Sequence, residues 1–95
     1  RAREAAAHGF AAGTSGDKQQ ASKYFDMAFA AVDEVWEQRR PEQDTAAIVE
    51  EVSEAAAEVD SVNALVRAQK LRDPSAQAIG MLAVARVVAG TGIAR

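Results

Sequence analysis

Between Asp17 and Gln38 the apolar side chains recur at intervals that gather them on one face of a 3.6-residue helix. Ala21, Phe25, Ala28, Val32 and Val35 follow a 4-3-4-3 spacing, and Tyr24, Met27, Ala31 and Trp36 widen the stripe. Asp17 stands where a carboxylate can accept hydrogen bonds from the free amides of a first turn, and Gly13, Thr14, Ser15 and Gly16 supply a turn just ahead of it. Four of the five aromatic residues, Tyr24, Phe25, Phe29 and Trp36, lie in this stretch. Burying one such ring contributes about 1.5–3 kcal/mol, so the remaining helices are expected to pack on this one.

The rest of the chain is also helical in character. Alanine, the best helix former, supplies 23 of 95 residues, and only two prolines interrupt. No run of alternating β-branched residues argues for a strand. A first helix is predicted over residues 1–12, with Gly9 inside it to allow close packing, and Gly13–Gly16 ends it. Arg39, Arg40, Pro41, Glu42 and Gln43 form a polar break. A third helix, capped by Asp44 or Thr45, has no Gly or Pro until Leu71. Its stripe of Ile48, Val52, Ala55, Val59, Val62 and Val66 permits a coiled-coil-like seam. Asp60 offers an alternative, since it can cap a separate helix from Ser61. Asp73-Pro74 is a start signal for a fourth helix to about Ala89, with Gly90 as terminator and a frayed tail after it. The expectation is one all-α domain of about four helices over residues 1–95. Because the chain starts at Arg1 and not at a methionine, it is expected to be a piece of a longer one.

Gly9, Ala21, Phe25 and Ala28 stand at spacings of 12, 4 and 3 in the first two predicted helices. Over about residues 2–35 this resembles the tetratricopeptide repeat, whose signature has a small residue in the first helix and Ala, an aromatic and Ala in the second. The signature's early Trp falls at Ala5, its Leu at His8, its Tyr at Ala12 and its closing Pro at Asp33. Ala78, Leu82 and Ala85 repeat the Ala-large-Ala spacing 57 residues later, which is not the period of that repeat. The resemblance implies a TPR-like antiparallel helical hairpin or, more generally, an orthogonal bundle, and a role in protein–protein interaction.

Net charge is -3 and unevenly spread. Residues 1–25 sum to +2, residues 26–60 to -9 and residues 61–95 to +4. The basic ends are therefore expected to attract the acidic middle, within or between molecules. The absence of cysteine excludes disulfides and thiolate metal sites. No apolar run of about 18 residues suggests a membrane span, and no signal pattern is present, so a cytoplasmic location is expected.

Catalytic patterns are lacking. His8 has Glu4 one turn earlier as a possible orienting partner, but no nucleophile accompanies it. Glu50, Glu54 and Glu58 share a helical face without the Glu-x-x-His partner of bundle metal sites. Gly13–Gly16 precedes a helix whose amino end would attract an anion, yet Asp17 repels one. Arg67, Lys70, Arg72 and Arg86 are too few, on a net acidic chain, for a strong nucleic-acid footprint. The fourth helix is apolar on nearly every side, and Met81, Leu82, Val84, Val87 and Val88 cannot all face one neighbour. They are the candidate interface. The chain thus reads as a non-enzymatic protein-interaction or self-association module without cofactor or metal, its partner a protein or a second copy, with the acidic third helix selecting by charge. The alternatives are a nucleic-acid-associated regulator using the basic C-terminal part, and a non-catalytic fragment or subunit of an enzyme.

Overall fold

A computed structural model describes residues 1–38 and 44–92. The expected polar break at 39–43 and the end of the expected frayed tail, 93–95, lie outside the described residues. The described chain is all-helical: α1 (Ala2–Thr14), α2 (Lys18–Glu37), α3 (Thr45–Val59), α4 (Ser61–Gln69) and α5 (Pro74–Gly92).

Helix α1 buries Ala2, Ala5, Ala6 and Gly9, a one-face stripe of small residues. Small residues bring the helix close to α2. A Cβ added at Gly9 would lie 3.0 Å from the Phe25 ring. Arg1 beside Glu34 and His8 beside Tyr24 fix the two helices as antiparallel. The connection is the predicted turn: Gly16 adopts φ +91°, and the Asp17 carboxylate accepts from the Gln20 amide at 3.1 Å.

Helix α2 buries Ala21, Phe25, Ala28, Phe29, Ala31, Val32 and Trp36. The buried face keeps the expected stripe of Ala21, Phe25, Ala28 and Val32, widened by Ala31 and Trp36, and departs from it elsewhere. Phe29 lies inside, Met27 is 56% exposed, and Val35 is half-buried.

The stretch from Thr45 to Leu71 does not form one helix. Asp60 takes an extended conformation (φ -157°, ψ 97°), and its carboxylate accepts from the Asn63 amide at 3.1 Å and from Asn63 Nδ2 at 2.7 Å. Asp60 thus ends α3 and caps α4. The heptad-like seam is broken as a result: Val52 is fully buried, but Val62 and Val66 are turned outward. Val49, Ser53, Ala56 and Ala57 complete the buried face of α3.

Two residue pairs set α3 parallel to α1: Arg3 meets Glu51, and Gly13 abuts Val59. Helix α5 runs antiparallel to α3, with Gly80 over Ser53 and Arg86 beside Glu50. The short α4 packs against α5 and α3 and is tied to α2 through Arg67. Its Ala64 and Ala68 are buried, and Ala68 faces Gly80. Asp73 starts α5 by accepting from the Ser75 amide at 2.8 Å. Gly90 does not end the helix, which continues to Gly92. The Cα radius of gyration is 12.5 Å, close to the roughly 12.4 Å expected of a compact chain this long.

Candidate interaction surfaces

Among the described residues, ion pairs within the molecule meet much of the charge asymmetry. Arg1 reaches Glu34 at 2.9 Å, and Arg3 forms a two-pronged pair with Glu51, both contacts 2.9 Å. Arg67 Nε donates to Asp26 at 3.0 Å, and its Nη2 donates to the Ser22 hydroxyl and carbonyl. Arg72 donates to Glu37 at 3.0 Å and Arg86 to Glu50 at 3.3 Å. The Arg72 guanidinium is held above its usual pKa, first by the hydrogen bond to Glu37 and then by the charges of Glu37 and Asp33. Every arginine among the described residues is thus tied to a carboxylate of the acidic middle. Three of the four bases considered for nucleic acid, Arg67, Arg72 and Arg86, are occupied in this way; Lys70 is exposed.

His8 is exposed and stacks on Tyr24, ring centroids 5.2 Å apart, and no hydrogen bond joins it to Glu4. Glu50 pairs with Arg86 and does not converge with Glu54 and Glu58 on a metal position; no cluster suited to a metal ion occurs among the described residues. The Asp17 carboxylate accepts from the Gln20 amide in the first turn of α2 and places a negative charge at that helix start. Among the described residues no helix is long and apolar enough to cross a membrane.

The five apolar residues singled out on the last helix divide. Val84 is only 3% exposed and belongs to the core. Val87 is half-buried against it. Met81, Leu82 and Val88 are 36%, 54% and 47% exposed. Helix α4 adds Val62, Leu65 and Val66 at 72%, 37% and 39%. Six of the eight large exposed apolar side chains of the described residues therefore sit on α4 and α5. Between these helices runs an open groove of about 360 Å³, walled by Val62, Leu65, Met81, Val84 and Val88 and lined by no charged side chain. Leu65 carried no signal in the sequence reading. It lies on α4, the helix that begins after the break at Asp60.

A second groove of about 360 Å³ lies between the parallel helices α1 and α3. Ala6, Ala7 and Phe10 line it from α1, and Val52 and Ala55 from α3, with Glu51, Glu54 and Glu58 along the α3 side. Phe10 is 39% exposed there. Sequence reading passed over Phe10, because its importance depends on a neighbour distant in the chain.

Comparison with protein-family models, with curated proteins and with solved structures finds no match.

Proposed function

We propose that this chain is a protein-interaction module that associates with a second copy of itself through the α4–α5 face. The observation that carries the reading is the concentration of exposed Val62, Leu65, Val66, Met81, Leu82 and Val88 on two adjacent helices. Exposed apolar side chains gathered on neighbouring helices mark candidate contact sites. The groove between the helices has no charged lining residue. Two copies can therefore meet there without like-charge repulsion, as a two-fold interface requires. The TPR-like reading draws its support from the α1–α2 pair, where Gly9 and Phe25 interlock between buried Ala21 and Ala28. The nucleic-acid reading has less support, because Arg67, Arg72 and Arg86 already hold carboxylates.

The test is solution mass by light scattering on a sizing column, with circular dichroism as the fold control. Wild type is expected to be a dimer or larger. Val62→Glu and Leu82→Glu are expected to give folded monomers, since both side chains point to solvent within one copy. Val84→Glu is expected to unfold the chain, because Val84 is core. A wild type that stays monomeric at hundreds of micromolar would end the self-association reading.

A further inference from the structure

We propose that the groove between α1 and α3 binds the apolar face of a basic amphipathic helix from a partner protein. The inference stands apart from self-association, since it concerns other helices.

The decisive observation is how the acidic side chains are used. Among the described residues, Asp26, Asp33, Glu34, Glu37, Glu50 and Glu51 are ion-paired with arginines. Asp17, Asp44, Asp60 and Asp73 accept amide hydrogen bonds at helix starts. Of the remaining three, Glu4 is exposed and lies outside this groove, whereas Glu54 and Glu58, with neither a cation nor a capping role, both line it. They are one helical turn apart on α3, where like charges repel. Glu54 is also half-buried, which raises the benefit of supplying a cation.

The rest of the groove fits the same ligand. Arg3, Ala6, Ala7 and Phe10 follow one helical face, so the α1 wall is apolar from Ala6 to Phe10. Arg3 neutralises Glu51 at one end and leaves the Glu54–Glu58 end negative. Two parallel helices make a straight trough into which a third helix packs by its side-chain ridges. Glu54 and Glu58 lie about 6 Å apart along the helix axis, and lysines four residues apart on a partner helix have the same separation. The acidic rim would repel phosphate backbones and anionic lipid surfaces alike, so the chemistry selects a cationic peptide.

The probe is a synthetic helical peptide of about 14 leucines and lysines, its leucines at i, i+3, i+4 and i+7 spacing. Its leucine–glutamate counterpart is the control. Binding is read by fluorescence anisotropy in low and high salt. The lysine peptide is expected to bind, the glutamate peptide not to bind, and salt to weaken the complex. The Glu54→Gln/Glu58→Gln double variant is expected to weaken binding roughly five- to tenfold. Phe10→Ala is expected to weaken it with less change in salt dependence. Val62→Glu, on the α4–α5 face, should leave it unchanged. Absence of lysine-peptide binding would overturn the proposal. So would binding that survives the double glutamine variant but is lost in Val62→Glu. Circular dichroism establishes that each variant is folded.

Discussion

Gly13 on α1 meets Val59 at the end of α3 so closely that a Cβ added to the glycine would lie 2.5 Å from the valine Cγ1 and 2.7 Å from its Cγ2. Valine is branched at Cβ and has little freedom to turn aside. This contact, far more than local turn chemistry, requires glycine at position 13. Gly13→Ala would gain about 1 kcal/mol in helix propensity but would force α1 and α3 apart, at a cost of about 1–3 kcal/mol. The expected net effect is a loss of about 1 kcal/mol, read as a lower midpoint in urea unfolding. Adding Val59→Ala should relieve the clash, so the double variant should lose less than the sum of the singles. Additive losses would argue that the two residues do not press on each other.

Ser53 is fully buried, and its hydroxyl has no hydrogen-bond partner. It packs beneath Gly80, where an added Cβ would sit 3.1 Å from the Ser53 Oγ. A buried, unsatisfied hydroxyl costs about 1–3 kcal/mol. Ser53→Ala removes the hydroxyl without adding volume and improves helix propensity. It is expected to stabilise the chain by about 1 kcal/mol, measured by thermal or urea unfolding. A destabilised variant would mean that the hydroxyl has found a partner.

Arg67 differs from the other paired arginines in depth. Its side chain is 15% exposed, against 55% for Arg3 and 52% for Arg86. It links α4 to α2 through Asp26 and both oxygens of Ser22. Arg67→Ala is expected to cost about 1.5–3 kcal/mol, since it removes charge-assisted hydrogen bonds together with the packing of the aliphatic stem. Arg86→Ala should change stability by less than about 1 kcal/mol, as exposed ion pairs do. Urea midpoints for the two variants at low and high salt would separate these cases. Equal losses would place Arg67 among the surface pairs.

Much of the local structure was legible in the sequence. Asp17, Asp44 and Asp73 open helices where their side-chain chemistry implied. The Gly9–Phe25 interlock follows from small and aromatic residues at matching heights on two antiparallel helices. These features depend on residues near in sequence, on one face, or on a capping carboxylate and the amides beside it. The split of the last helix into core and exposed residues was not legible. Met81, Leu82, Val84, Val87 and Val88 have similar hydrophobicity, and only the position of α3 and α4 decides that Val84 is enclosed while Leu82 is not.

Asp60 marks the boundary between the two kinds of information. Its capping role was readable, but so was a helix running through it, and the two differ by only a small local free energy. Packing of α4 against α5 and α3, with Ala68 under Gly80 and Arg67 reaching α2, accompanies the break. The sequence by itself determined an all-helical chain with its caps, its alanine-lined contacts and its acidic middle. Tertiary structure decided which carboxylates would be neutralised and which apolar faces would be covered. The physical reason is range. Caps and helical periodicity act within a few residues, whereas the pairing of Arg3 with Glu51 and the unpaired state of Glu54 and Glu58 depend on how whole helices lie against one another.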